Sequence, residues 1–331
     1  MVKLVTIFGG SGFVGRYVAR RMAREGWRVR VAVRRPNEAL FVRTYGAVGQ
    51  VEPVLCNVRD AESVRQALRG ADVAINCVGI LNEVGRNTFG LTQYHGARHI
   101  AEAAQEMGVR RVVQISAIGA DPQSDSEYAA TKGTAEEVIL KHVPEAVILR
   151  PSIIFGPEDQ FFNRFAGVAR FSPVLPLFGA GVRFQPVYVD DVAQAAVLAA
   201  TGKAGPGVYE LGGPEVKSFA DMMYDMLDTI HRPGRIVVGL PLWFGSVMGW
   251  GLDLLQKLTG SLFVNKVITR DQAKNLARNN VAGEDTMGFA DLGMTPVALG
   301  AVLPEYLWRF RPSGQYEDVR ESVGNLRRPQ L

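Results

Sequence analysis

VTIFGGSGFVG, residues 5–15, decides how the rest of the chain is read. A short, mostly apolar run enters a G-x-x-G-x-x-G spacing at Gly9, Gly12 and Gly15. Behind it, FVGRYVARRMAREG carries Val14, Val18 and Met22 at helical intervals and stops at Gly26. This is a strand handing over to an amphipathic helix through a turn of glycines. In such a turn the first glycine permits a tight reversal and the second lets a pyrophosphate approach the backbone. The third lets the helix lie close on its strand. Free amides at the helix start, around Ser11, Phe13 and Val14, then meet the phosphate charge. A plain tight turn would use the same glycines, so the following segments have to decide.

They alternate. WRVRVAVRR turns Val29, Val31 and Val33 one way and its arginines the other; PVLCNV, DVAINCVG and RRVVQIS supply further short strands. DAESVRQALRG and TQYHGARHIAEAAQEMG supply helices between them. The expected fold class is α/β, a Rossmann-type parallel sheet with helices on both faces and a smaller C-terminal lobe. The expected division is a nucleotide-binding body over 1–205 with later segments returning to it, a lobe over 206–308, and an extended tail over 309–331. VYVDDVAQAAVLAAT, from residue 187, reads as a helix capped by Asp190 or Asp191.

Composition narrows the function classes. The 331 residues are 47% apolar, enough for a substantial core, and carry a net charge of only +4. That excess permits contact with phosphate or anionic lipid and requires neither. No nucleic-acid module accompanies the arginines at 16, 20, 21 and 24. Cys56 and Cys77 read as packed thiols. His95 and His99 stand four apart without a carboxylate or thiol cluster, so they read as helix surface and no metal is expected. IVVGLPLWFGSVMGWGL, residues 236–252, lacks charge but is broken by Pro241 and several glycines, and Met1 leads directly into a strand. A cytoplasmic protein is expected.

Candidate cofactor contacts follow from strand ends. Arg34 and Arg35 stand where a carboxylate would bind the ribose hydroxyls of NAD, and forked guanidinium groups suit a 2′-phosphate, which favours NADPH. A solvated basic face is the alternative, because Arg28 and Arg30 already point outward. Asn57 and Val58 follow the third strand, where an adenine ring would rest. Cys77, Val78 and Gly79 line the turn after the fourth. In EYAATKGTAEEVI, Tyr128 and Lys132 share a helix face one turn apart, where a nearby cation favours the phenolate and the lysine can reach a ribose. As a bare pair, such residues are common on helices.

The N-terminal half resembles the extended and atypical short-chain dehydrogenase/reductases. The resemblance rests on the glycine run at 9–15, YxxxK at 128–132 and RPxxxxGP from Arg150 to Pro157. It implies that Tyr128 and Lys132 lie at the nicotinamide end, with Pro151, Ile153 and Phe155 in the loop packed near it. One departure counts. Catalytic members carry a serine or threonine shortly after the fifth strand, whereas ISAIGADP places Ala117 or Ile118 there. A missing donor to a reacting oxygen costs on the order of 3 kcal/mol of transition-state stabilisation. Ser116 either compensates or bonds the local backbone.

Within that superfamily the chain is similar to one branch, the nucleotide-binding accessory subunits of respiratory complex I and their bacterial relatives. The matching segments are FGGSGFVGRYV (8–18), RPSIIFGPEDQFFNRFA (150–166), QPVYVDDV (185–192), ITRDQ (268–272) and DLG (291–293). The resemblance implies a tightly held, structural NADPH and attachment to other subunits of complex I near the quinone and membrane junction. The location would be peripheral, on the cytoplasmic side of a bacterial inner membrane. LPLWFGSVMGWGLDLLQKLTGSLF is either lobe core or a partner- or lipid-facing surface over 240–264, with Gly245, Gly249 and Gly251 weakening any helix. The competing reading is a free-standing NADP-dependent reductase or epimerase with Tyr128, Lys132 and Ser116 as its catalytic set. A nucleotide-responsive redox sensor is a third.

Overall fold

The computed structural model describes residues 2–258, 269–312 and 314–316. Strands and helices alternate as β1 Leu4–Phe8, α1 Phe13–Arg24, β2 Arg28–Val33, β3 Val51–Leu55, α2 Ala61–Leu68, β4 Val73–Asn76, α3 His95–Glu106, β5 Arg111–Ile115, α4 Glu127–His142 and β6 Val147–Pro151. The second half adds β7 Ile154–Phe155, α5 Phe162–Ala169, β8 Val174–Phe178, β9 Arg183–Phe184, β10 Val187–Tyr188 and α6 Val189–Thr201. It continues with β11 Gly207–Leu211, β12 Lys217–Ser218, α7 Phe219–Thr229, β13 Ile236–Leu240, α8 Leu242–Leu258, α9 Arg270–Asn275 and α10 Leu299–Leu307.

Seven parallel strands form one sheet in the order β11-β6-β5-β4-β1-β2-β3. The alternation of β1 shows why it is covered on both faces. Val5 and Ile7 join α1 and α6 residues such as Val18, Met22, Val192 and Ala196 in one core, while Phe8 turns to the other face with Ile100, Ile139 and Ile148. Strand order reverses between β1 and β4, and in open α/β sheets that reversal leaves a crevice at the carboxyl ends of the two strands. A third core, around Phe155, Phe162, Leu175, Phe219, Met222 and Leu303, holds the smaller lobe together.

The chain beyond residue 205 comes back to the sheet twice. β11 is an edge strand, and its free side is bridged by a later segment: Tyr209 pairs with Met287, and the Glu210 N–H donates to the Met287 carbonyl at 2.8 Å. Phe289 then enters the first core.

One local expectation is corrected, and two features are added to the sequence reading. Neither Asp190 nor Asp191 caps α6, whose N-cap is Tyr188 and whose start has no side-chain cap. Asp190 instead pairs with Arg21 at 2.6 and 2.7 Å, joining α6 to α1, and Asp191 accepts the Val297 N–H at 2.7 Å. Residues 36–45 form a 3₁₀ helix where no element was expected. The glycines of α8 do not break it, because two of them are contact points. A Cβ at Gly245 would lie 2.8 Å from the Phe178 ring, and one at Gly249 would lie 2.8 Å from the Arg270 nitrogen.

Outward, α8 presents Trp243, Val247 and Trp250, and the parallel pair β8–β13 presents Val174, Ile236 and Val238. Residues 259–264 of the expected association stretch lie outside the described residues, as do 313 and 317–331 of the expected tail. Among the described residues no helix is long and apolar enough to cross a membrane.

Candidate functional site

The glycine loop between β1 and α1 is shaped by contacts that a side chain would destroy. Gly9 has φ +71°, in the left-handed region, and its N–H donates to the Ala32 carbonyl at 2.9 Å. A Cβ at Gly15 would stand 2.3 Å from the Gly9 carbonyl oxygen, so the helix can lie on the loop only with glycine there. Gly10, which the spacing argument missed, is confined too: a Cβ would sit 3.0 Å from Val31. Gly12 is the N-cap of α1; it brings no side-chain cap, and the first turn holds no acidic residue. The first-turn amides at Phe13 and Val14 therefore lack an internal anion at the positive end of the helix. Phe13 reaches across toward the Gly156 loop, and the Ser11 carbonyl accepts Arg16 at 3.2 Å.

At the adenosine end, Arg34 and Arg35 are exposed directly after β2. Arg34 donates to Asn87 Oδ1 at 2.7 Å, and Arg35 pairs with Glu38 at 3.0 Å. Arg59, not singled out from the sequence, donates to the neighbouring Arg86 carbonyl at 2.8 Å, so the loops after β2 and β3 converge on residues 86–87. Asn57 accepts from the Arg59 backbone N–H at 3.2 Å through Oδ1. Val58 is buried against Gly96, and its carbonyl accepts the His99 ring at 2.9 Å.

At the opposite end, the Cys77 N–H donates to the Phe8 carbonyl at 2.9 Å, and the Val78 N–H to Asn76 Oδ1 at 3.0 Å. Gly79 faces Lys132: its Cβ position is 3.4 Å from Nζ. Lys132 is buried and donates to the Ile115 carbonyl at 3.1 Å. Burial pushes its amine down to about 8, against an opposite pull from Glu136 and Cys77. Tyr128 is half-buried, edge-on to Phe89 with ring centres 5.8 Å apart. Its phenol is pushed up to about 12 by burial, and the Asp271 carboxylate adds to that. The expected drop is thus corrected: Lys132 turns to a carbonyl, and the charge acting on Tyr128 is negative. Cys77 is likewise pushed up to about 12, chiefly by burial, so the thiol stays protonated.

Ser116 is also corrected. Its hydroxyl donates to the Glu136 carboxylate and not to local backbone. Arg150 clamps the same carboxylate at 2.5, 3.0 and 3.1 Å and reaches Glu210 at 3.4 Å. Ser116 and Glu136 are buried, and Arg150 and Glu210 half-buried. Ala117 and Ile118 bring no hydroxyl, and the Ile118 N–H is taken by the Pro151 carbonyl at 3.0 Å. Ile153 donates its N–H to Asn280 Oδ1 at 3.0 Å, and Ser152 donates its hydroxyl to the same oxygen at 2.7 Å. Asn280 and Asp271 are site-building residues that sequence spacing could not reveal, since each acts on a loop more than a hundred positions earlier. Among the described residues no group of three or more His, Cys, Asp or Glu side chains converges.

Residues 5–212 match the NAD dependent epimerase/dehydratase family. The chain is 33% identical over 321 residues to the mitochondrial NADH dehydrogenase (ubiquinone) 1 alpha subcomplex subunit 9 of Arabidopsis thaliana, covering 94% of this chain and 79% of that one. It is 34% identical over 194 residues to the ceramide reductase of Caulobacter vibrioides, covering 59% and 60%. In fold it is similar to dTDP-glucose 4,6-dehydratase of Bacillus anthracis str. Ames in complex with NAD, with a TM-score of 0.68 at 15% identity, over 92% of this chain and 96% of that one.

Proposed function

Because this chain belongs to the NAD dependent epimerase/dehydratase family, we propose that it holds NADP(H) across the β1–β4 crevice and serves, without catalysing a reaction, as an accessory subunit of respiratory complex I. The crevice suits the nucleotide. An uncapped helix start with no acidic residue in its first turn receives the pyrophosphate at the Phe13 and Val14 amides, Arg34 and Arg35 favour NADPH over NADH, and Gly79 with Lys132 lines the nicotinamide ribose. A ligand that binds only the folded chain stabilises it by mass action, which is all a structural cofactor needs to do. Likeness over 94% of the chain to a complex I subunit supports the partner assignment.

The observation that carries this reading over catalysis is Ser116. Its hydroxyl is held by Glu136, so the donor that would steady a reacting oxygen beside Tyr128 is absent. Attachment is peripheral, at the cytoplasmic side of a bacterial inner membrane near the quinone junction. Its surface is the lobe over 206–308, with 240–264 facing subunits or lipid. Trp243 and Trp250, 68% and 57% exposed, support this. So does the charge pattern: residues 160–189 and 229–252, which build this face, carry arginines and no carboxylate.

A free-standing NADP-dependent reductase or epimerase is the second reading. It is favoured by the intact Tyr128–Lys132 pair and by likeness to a ceramide reductase. There the bound nucleotide would supply the hydride carrier, Tyr128 would move the proton at the carbonyl oxygen, and Lys132 would orient the ribose. Purification from native membranes separates the two. The accessory subunit brings iron–sulfur and quinone-site subunits with it, and a chain that emerges alone overturns that assignment.

A further inference from the structure

The ITRDQ segment has no part in the nucleotide contacts above, yet its described residues reach both walls of the nicotinamide end. On one wall, Asp271 Oδ1 accepts the Glu127 N–H at 2.8 Å. Its Oδ2 accepts the Ser126 hydroxyl at 2.9 Å and the Tyr128 N–H at 3.3 Å. Ser126, the N-cap of α4, meanwhile accepts the Ala129 N–H at 3.3 Å. The first-turn amides of a helix have no intrahelical partner, and a carboxylate suits that positive end. Here the carboxylate comes from the other lobe and holds the turn that carries Tyr128. Lys274 adds a bond to the Asp125 carbonyl at 2.7 Å.

On the other wall, Gln272 Nε2 donates to Asn82 Oδ1 at 2.8 Å, on the loop that continues from Gly79. A second, inner bridge joins the same walls. Gln93 donates to the Ile80 carbonyl at 2.9 Å, and its Oε1 lies 3.2 Å from the Thr131 hydroxyl, which it shares with the Glu127 carbonyl at 2.8 Å. The outer bridge is anchored from behind. The Arg270 N–H donates to Asp253 of α8 at 3.0 Å, and Gly249 permits the close approach there. Thr269 and Gln272 lock the start of α9 in a reciprocal cap.

We infer that Asp271 and Gln272 are positioning residues for the nicotinamide end, and that α9 is a strap across the cleft that must release before the nucleotide leaves. Asp271 fixes the first turn of α4, which carries Tyr128 and precedes that of Lys132, and Gln272 ties that turn to the lip beyond Gly79. Nucleotide and strap favour the same closed arrangement, so each strengthens the hold of the other by linkage. The inference rests on the nucleotide reading given above.

The test loads the full-length chain with NADPH and follows its release, on dilution into excess NADP+, by dihydronicotinamide fluorescence. Asp271→Ala and Asn82→Ala are each expected to speed release about tenfold, within the usual range of site-to-site coupling. Asp271→Ala also speeds hydrogen exchange at the amides of 127 and 128. Asp221→Ala removes the acidic partner in the cap of α7 and serves as control: it lowers Tm by a similar amount and leaves release unchanged. Release at the wild-type rate from Asp271→Ala overturns the strap. Should that variant fail to fold, Asn82→Ala decides in the same way. A wild-type chain that takes up neither NADPH nor NADH overturns the nucleotide reading itself, a separate outcome.

Discussion

Arg34 and Arg35 directly follow β2, where the proposed preference for NADPH over NADH is open to test. Each guanidinium can give charge-assisted bonds to a 2′-phosphate, worth roughly 1.5–3 kcal/mol apiece. Replacing both with alanine should raise the Kd for NADPH by at least about tenfold and change that for NADH little, as read by fluorescence titration; an equal loss for both nucleotides would place the arginines on a solvated face. Lys132 gives a second test. Burial depresses its folded pKa to about 8 from 10.5, so between those values the unfolded chain binds more protons and stability rises with pH. Below pH 8 both states are charged and the burial penalty is fully present. Against Lys132→Met, the wild-type chain should therefore gain stability as pH climbs from 8 towards 10.5. Denaturant midpoints measured across that window check the sign. The roles of Gly9 and Gly15 were legible in the sequence because steric demands of a turn are local. The partner of Ser116 was not, because Glu136 reaches it from a different element under the clamp of Arg150.

Elements were legible where burial is periodic. In β1, Val5 and Ile7 face one core and Phe8 the other, the alternation a covered strand must show. The helical spacing of α8 was legible, but the reason for Gly245 and Gly249 was not, because helix propensity is a local quantity and these two answer to tertiary contacts. The same helix supplies opposite outcomes from similar changes. Gly251 meets nothing within 4 Å, so Gly251→Ala should stabilise the fold by up to about 1 kcal/mol. Gly249→Val drives a side chain into Arg270 and Thr269 and should cost about 1–3 kcal/mol. Thermal unfolding of the two variants checks this, and equal shifts of Tm would refute the packing account. The helical character of VNKVITRDQAKNLARN, which contains α9, was legible in the sequence, but the bonds of Asp271 to residues some 144 positions earlier were not.

At the scale of the molecule, α8, which carries the exposed Trp243 and Trp250, is linked through α9 to the loop beyond Gly79. Fold class could be read from the succession of strands and helices, since each unit buries its own stripe. The clustering of exposed tryptophans beside carboxylate-free segments could not, because β8, β13 and α8 meet only after folding. If that face meets lipid, Trp243→Ala with Trp250→Ala should abolish flotation with vesicles containing phosphatidylglycerol while NADPH affinity is retained. Undiminished flotation would exclude the tryptophans as the anchor.

The bridge from Met287 to the rim strand β11 sets a condition on biosynthesis. An unpaired sheet margin invites pairing with foreign chains, and among the described residues this one is bridged by Met287, which is made well after β11 itself. Until the ribosome has delivered it, the nascent polypeptide displays an open β margin with which another strand can pair.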